Sequence, residues 1–281
     1  MKIAFWTNVK DKCAVSPNMA AISVASVSRF PYRIIAMENH LCPIPLGRAF
    51  GKSDQRRVFL EVGTNYYEGG GIEGLLRRIY RGNDQDITLQ FYLKEIINKH
   101  LYYIPQSRVI TSEIFDYELN ACLQGILQLI EDNSDICFID TASQSNLTTK
   151  TILEESDLIV VNLSQDPFIL KDFLENYSSI IPKSIFIINN YVNNSALNTK
   201  RISRMFEIPM DKLVTIPASE LYQEAYHHGC VVEFISSNYH CNREHPNHNF
   251  IQAIKKAAFT IIKNAELIGN LDHFEMNQCG R

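Results

Sequence analysis

Residues 135–141 read Asp-Ile-Cys-Phe-Ile-Asp-Thr, an apolar run that is followed at once by an acidic residue. Two further apolar runs come after it, Leu-Ile-Val-Val at 158–161 and Ile-Phe-Ile-Ile at 185–188. Strands that are buried on both faces of a parallel sheet have such continuous apolar sequences, whereas half-buried strands alternate apolar and polar residues. The three runs therefore predict central strands of a parallel sheet.

Short apolar runs and longer amphipathic segments alternate on both sides of these strands. Further strands are predicted at 3–6, 32–37, 58–62, 101–104 and 213–216. Helices are predicted at 17–28, 72–80, 86–99, 116–131, 148–155, 167–176, 219–227 and 248–268, and irregular segments at 41–57 and 237–248. This alternation predicts an α/β fold with a doubly wound, mostly parallel sheet and helices on both faces. Since no linker interrupts it, we expect residues 1–268 to form a single domain and 269–281 to form a polar C-terminal tail.

The composition is that of a globular protein and argues against several other classes. The 281 residues include 27 Lys and Arg against 31 Asp and Glu, a net charge of −4 rather than the basic excess of a nucleic-acid coat. No run reaches the roughly 20 apolar residues that cross a bilayer. The N-terminal apolar stretch is shorter than the about 7–15 residues of a signal peptide. Seven cysteines are scattered without the spacing of a disulfide framework. We expect a soluble, cytoplasmic protein.

A strand, a tight loop and a helix follow one another at the N-terminus. The predicted strand at 3–6 leads directly into the loop at 7–16, and the predicted helix at 17–28 comes next. Free N–H groups at the start of a helix, together with the helix dipole, make such a turn suitable for binding an anion. In a doubly wound sheet ligands bind at the carboxyl ends of the strands, which is where this loop is expected to lie.

At this loop the sequence resembles the ParA/MinD-like P-loop ATPases of the SIMIBI class, and within them the CpaE/TadZ pilus-localisation branch. Members of that family carry Lys-Gly-Gly-x-Gly-Lys-Ser/Thr here, and their first lysine reaches the nucleotide of a dimer partner. The resemblance implies that Lys10 is this catalytic signature lysine and that Ser16 supplies a hydroxyl ligand to Mg²⁺. The residues that it implies for nucleotide contact are Lys12, Cys13, Ala14, Val15, Ser16 and Pro17.

The loop departs from the family pattern at the positions that matter most for phosphate binding. Asp11 and Lys12 stand in place of two glycines, Ala14 in place of a third and Val15 in place of the phosphate-binding lysine. Glycine allows positive φ and a close approach of the backbone to phosphate. The lysine stabilises the charge on the β- and γ-phosphates. We therefore expect the loop to hold phosphate poorly.

Two interpretations of the loop remain open. Lys10 or Lys12 can swing in to replace the missing charge at Val15. Alternatively the segment is an ordinary turn, in which Ser16 caps a helix that begins late, with Pro17 as its first residue.

Three strand ends extend the resemblance. Asp140 resembles the Walker B aspartate, which implies that it holds Mg²⁺ through water, since Mg²⁺ prefers oxygen ligands. Glu38 stands where the family has an acidic residue that orients the attacking water, and Asn189 where it has the asparagine that reads adenine. Each residue also has a plain structural interpretation, as a turn cap or an exposed strand end.

Two rival features occur late in the chain. Cys241, His245 and His248, with Cys230 as a fourth, are residue types that hold Zn²⁺, but they lack paired Cys-x₂-Cys spacing, so a solvated loop is the preferred interpretation. The basic amphipathic helix at 248–268 is of a type that binds membranes, but a terminal helix after a sheet normally docks onto it. We expect docking.

These features predict a dimeric localisation or assembly factor with a ParA/MinD-like P-loop fold, acting for Tad/Flp-type pili. ATP or ADP with Mg²⁺ is expected to bind weakly, with little or no hydrolysis. The alternative is an active Mg-ATP-dependent ParA/MinD-type ATPase switch in partitioning or positioning. We expect a cytoplasmic homodimer that is recruited to a membrane-associated complex of secretion, pilus or positioning proteins, without specific nucleic-acid binding or direct membrane contact.

Overall fold

Eight strands and their connecting helices are described in the computed structural model, which covers residues 1–10, 12–41, 45–51, 70–81, 88–106, 111–143 and 146–279. The strands are β1 (Lys2–Trp6), β2 (Ile34–Glu38), β3 (Lys94–Ile97), β4 (Leu101–Tyr103), β5 (Ile136–Asp140), β6 (Leu158–Ser164), β7 (Ser184–Asn189) and β8 (Leu213–Ile216). The helices are α1 (Val15–Val27), α2 (Leu46–Ala49), α3 (Ile72–Tyr80), α4 (Ser112–Asn133), α5 (Leu147–Glu155), α6 (Pro167–Asn176), α7 (Thr199–Met205), α8 (Glu220–His227), α9 (Val231–Asn238) and α10 (His248–Cys279). Short 3₁₀ segments lie at Leu89–Tyr92, Ser178–Lys183 and Met210–Lys212.

Parallel pairing brings the carboxyl ends of three central strands together. The strands lie in the order β3-β4-β2-β5-β1-β6-β7-β8, and among the described strands only β3 runs antiparallel to its neighbour. Glu38 at the end of β2 pairs in register with Asp140 at the end of β5, and Asp140 pairs with Phe5 of β1 on its other side. The side chains and loops that follow β1, β2 and β5 therefore converge on one crevice.

Helices cover both faces of the sheet, which confirms the predicted doubly wound α/β fold. Successive residues of a strand point to opposite faces. Ile34 and Ala36 of β2 accordingly pack in a core with α1 and α10, whereas Ile35 and Met37 pack in a second core with α3 and α4. All four side chains are buried, which is why this strand has a continuous apolar sequence. The final helix docks on the sheet, as predicted.

The prediction of a helix at 86–99 is wrong. Within the described part of that segment, a 3₁₀ turn at Leu89–Tyr92 is followed by β3, which pairs with β4 as an antiparallel edge hairpin. Tertiary pairing overrides local helix propensity here, because only the neighbouring strand satisfies the backbone of β3. The predicted strand at 58–62 lies outside the described residues.

Three short helices, α2, α7 and α9, are additional to the predicted ones, and one helix is longer. The sequence reading gives no helix for α7 or α9, although Asn198 is a recognisable N-cap whose side chain accepts a hydrogen bond from the Arg201 N–H at 3.1 Å. Within the segment predicted as irregular at 41–57, the described residues include α2. Helix α10 continues to Cys279, beyond the predicted end at 268.

Candidate functional site

The loop between β1 and α1 enters the helix through an unusual backbone conformation, without a side-chain N-cap. Ala14 adopts the left-handed conformation, with φ 43° and ψ 43°, and precedes the first helical residue, Val15. The N–H of Asn18 donates to the Ala14 carbonyl at 3.0 Å. The interpretation of Ser16 as the N-cap and Pro17 as the first residue is therefore wrong, because the helix begins earlier and places both in its first turn.

The cations predicted for this loop lie at its surface. Lys10 and Lys12 are exposed, whereas Cys13 is buried and Val15 is partly buried. Asp11 lies outside the described residues. Val15, which the resemblance implies to stand in place of the phosphate-binding lysine, is an apolar side chain at the first turn of α1.

Three asparagines fasten this loop to the sheet. The Asn18 side chain donates to the Asn162 Oδ1 atom at 2.9 Å and to the Asn189 Oδ1 atom. Asn189 in turn donates to the carbonyl of Cys13 at 2.7 Å and to that of Leu163 at 3.2 Å. Asn189 is buried, and its amide groups are engaged with protein atoms rather than presented to a base. Asn162 was not predicted as a site residue. The sequence signal for it is that it interrupts the apolar run of β6.

A cleft of about 260 Å³ opens beside the loop. Ala14, Asn18 and Asn189 line it, together with Pro217 of the segment after β8. Tyr222 and Phe250 also line it, and their rings stack with centroids 4.7 Å apart. The lining combines aromatic rings with the amide side chains of Asn18 and Asn189, the mixture of apolar surface and few polar groups that is typical of small-ligand sites.

Glu38 is held firmly at the end of β2. Its Oε1 atom accepts from the Leu46 N–H at 3.0 Å, and its Oε2 atom accepts from the Tyr103 hydroxyl at 2.5 Å. Burial and the nearby Asp140 raise the pKa of Glu38 to about 7. Burial together with Glu38 also raises the pKa of Tyr103 well above its ordinary value, so its hydroxyl remains a donor. The Tyr103 ring needs the space beside Gly47, where a Cβ atom would lie 2.2 Å from the ring.

The carboxylate of Asp140 is buried, and its two oxygens have no hydrogen-bond partner among the described residues. The residue is 1% exposed. Burial raises the pKa of Asp140 to about 7, and the neighbouring Ser16 side chain offsets part of that rise. A hydroxyl beside unpaired carboxylate oxygens is a donor set that suits Mg²⁺, so Ser16 and Asp140 fit the predicted ion.

Two residues that follow Glu38 also belong to this end of the sheet, although no sequence motif identifies them. Asn39 is buried and ties β2 to the segment after β5, since it accepts from the Ala142 N–H at 2.7 Å and donates to Thr148 and Thr149 at 3.1 Å. His40 lies near Glu38 and Asp140. Burial lowers the pKa of His40, and Glu38 opposes that effect.

The rival features do not form sites in the described part of the chain. The potential Zn²⁺ ligands Cys230, Cys241, His245 and His248 are not brought within ligand distance of one another as a group of three. His248 instead lies with its Nδ1 atom 3.2 Å from the Cys241 carbonyl. A second cavity, of about 560 Å³, lies between α3 and α4 and is separate from the crevice. No helix in the described ranges is long and apolar enough to span a membrane.

The fold of the chain is similar to that of several solved structures. No protein-family model matches the chain, and neither does any curated protein. The ParA family ATPase from Chlorobium tepidum is 14% identical, with a TM-score of 0.66 over 92% of this chain and 97% of that one. The cell division ATPase MinD from Pyrococcus furiosus is 15% identical, with a TM-score of 0.67 over 93% and 98%. MinD from Pyrococcus horikoshii, solved with Mg-ADP, is 16% identical, with a TM-score of 0.67 over 95% and 99%. The chain therefore has the fold of ParA/MinD ATPases along nearly its whole length.

The asparagine network predicts a specific destabilisation. Asn189→Ala removes one acceptor and two donors from a buried cluster, so we expect the free energy of unfolding to fall by about 2–4 kcal/mol in urea titrations. Amide hydrogen exchange should accelerate in the loop at 7–14. Asn193→Ala, at an exposed position, is the matched control and should change stability by less than about 0.5 kcal/mol. Equal stability of the two variants would contradict the network.

Replacement of the unpaired carboxylate of Asp140 is expected to stabilise the protein. Asp140→Asn removes a buried charge that has no partner, so we expect the free energy of unfolding of metal-free protein to rise by about 1–3 kcal/mol at pH 8. The exposed Asp132 provides the control, since Asp132→Asn should shift it by less than about 0.5 kcal/mol. Destabilisation by Asp140→Asn would show that the carboxylate has partners in solution.

Proposed function

We propose that this chain is a dimeric scaffold with the ParA/MinD fold, which marks a location or assembly site and hydrolyses ATP weakly or not at all. The observation that carries the proposal is the charge of the crevice. An apolar residue, Val15, opens α1 at the loop, while Glu38 and Asp140 lie buried at the strand ends beside it.

Phosphoryl transfer needs positive charge beside the phosphoryl oxygens, and this crevice supplies little of it. Catalysis of that reaction depends almost entirely on positioning and on electrostatic stabilisation of the phosphoryl oxygens. Val15 contributes no charge, and the buried carboxylates of Glu38 and Asp140 repel a polyphosphate when ionised. Lys10 and Lys12 extend into solvent from the loop, so either would have to reorganise to reach a phosphate.

Weak nucleotide binding is consistent with what the crevice retains. The cleft beside Ala14 and Pro217 would take the base, with Asn189 as the residue that positions the loop. Ser16 and Asp140 would hold Mg²⁺, which when bound would neutralise part of the phosphate charge. Two structural neighbours support this assignment, MinD from Pyrococcus horikoshii with Mg-ADP and a Borrelia burgdorferi putative plasmid partition protein bound to AMPPNP.

We assign the cellular role from the resemblance and the fold together. Resemblance to the CpaE/TadZ branch supports a role for a cytoplasmic homodimer in placing a Tad/Flp-type pilus, recruited to its membrane-associated complex. The neighbour solved as a MinC:MinD complex from Aquifex aeolicus shows that a protein of this fold binds a protein partner. In this role the protein acts through the surface that contacts its partners, and the crevice need not hydrolyse ATP.

Restoring the missing charge tests the interpretation of the loop. In calorimetric titrations without added transition metal, the wild type should bind Mg-ATP no more tightly than millimolar. Val15→Lys should bind it at least about tenfold more tightly, equivalent to about 1.4 kcal/mol, because the lysine reaches the phosphates from the first turn of α1.

Val192→Lys, which adds the same charge at an exposed position, should leave the affinity unchanged. Micromolar binding by the wild type that is lost in Lys10→Ala or Lys12→Ala would contradict the proposal. That result would favour the alternative, an active ATPase switch in partitioning or positioning.

Oligomeric state separates a scaffold from a switch. We expect light scattering after size exclusion to give about twice the chain mass of 32.2 kDa both with and without Mg-ATP. A scaffold dimer needs no nucleotide, whereas a switch dimerises in response to it. A monomer that becomes a dimer only with ATP would contradict the scaffold proposal.

A further inference from the structure

We propose that Glu38, His40 and Asp140 form a binding site for a divalent transition-metal ion, with Zn²⁺ as the fitting ion. Each residue offers one ligand atom, and the three atoms lie within 4.8 Å of one another. The inference goes beyond the proposed function, because the site uses only protein ligands and requires no nucleotide.

The sheet itself assembles these three residues. Glu38 and Asp140 are register partners at the ends of β2 and β5. Beyond β2, the N–H of Asn39 still donates to the Asp140 carbonyl at 3.1 Å, so the backbone continues alongside β5 as far as His40. Alternate residues of an extended chain share one face, which places Glu38 and His40 on the same side.

Three buried polar atoms of the cluster have no hydrogen-bond partner among the described residues. They are the two carboxylate oxygens of the buried Asp140 and the Nδ1 atom of His40. A buried polar group without a partner costs about 1–3 kcal/mol, and more when it is charged. A cation bound by Asp140 and His40 would remove both deficits and would screen Glu38 from Asp140.

The imidazole of His40 determines which class of metal ion fits the site. Mg²⁺ prefers oxygen ligands and keeps most of its waters, so a site that includes His40 favours a transition metal. Zn²⁺ commonly binds three protein ligands drawn from His, Asp and Glu, and water takes the fourth position. Ligand atoms around such an ion are about 3.4 Å apart when the bonds are near 2.1 Å, so modest side-chain rotation closes the present spacing.

One ligand is already oriented. The Tyr103 hydroxyl and the Leu46 N–H each donate to one oxygen of Glu38, and each carboxylate oxygen keeps a second lone pair for an ion. Hydrogen bonds of this kind fix the orientation of metal-binding carboxylates, and their loss typically weakens metal binding by about 10–100-fold. Tyr103 is therefore a positioning residue of the proposed site.

Metal titration without nucleotide tests the site. Chelator-treated protein, titrated with Zn²⁺ in a calorimeter, should bind one equivalent that is lost or weakened at least about 100-fold in His40→Ala and Asp140→Asn. Tyr103→Phe should weaken it by about 10–100-fold. Co²⁺ should give visible d–d absorption without a thiolate charge-transfer band, because no cysteine belongs to the cluster.

The controls address the late cysteine and histidine residues and the folding of the variants. Cys241→Ser and His248→Ala should leave the Zn²⁺ affinity unchanged. Should His40→Ala fail to fold, Asp140→Asn decides alone, since it is expected to stabilise the metal-free chain. Zn²⁺ binding that survives Asp140→Asn, disappears in Cys241→Ser or is absent from the wild type would overturn the proposal. Since no nucleotide is present, none of these outcomes depends on the proposed scaffold function.

Discussion

Glu38 and Asp140 face each other from the ends of neighbouring parallel strands, and both side chains are almost completely buried. Burial raises the pKa of both carboxyl groups to about 7, so each ionises less readily than an exposed acid. The surroundings are built to maintain that pair, since Tyr103 and the N–H of Leu46 hold Glu38 from one side. Because buried acids with shifted pKa values cluster at functional sites, this pair points to a use for the crevice.

The charge of the crevice and the hydrogen bonds of the loop beside it both favour a scaffold over an ATPase. Without a lysine at Val15, the crevice is better suited to a cation than to a polyphosphate. The asparagines that bind the loop to the sheet keep it in place without a ligand. A fold shared with nucleotide-dependent ATPases can then serve as a static scaffold, because fold alone does not determine activity.

The fold was predictable because its strongest signals are local, whereas much of the site depends on tertiary contacts. Continuous apolar runs such as 136–139 and 185–188 identify buried parallel strands without knowledge of their neighbours, and the acid at position 140 follows from the end of such a run. His40 belongs to the crevice only through the pairing of β2 with β5, which no spacing in the sequence reveals. The helix start differs from the expected cap because Ala14 adopts a left-handed conformation, an energetic exception for a residue other than glycine.

A single-turnover experiment tests the central claim most directly. Protein in excess over labelled ATP, with Mg²⁺ and without transition metals, detects hydrolysis even when product release is slow. The account predicts little or no phosphate release above the rate in protein-free buffer. Complete conversion of ATP by the wild-type chain would contradict it, because it would show that a crevice with Val15 in place of lysine still performs phosphoryl transfer.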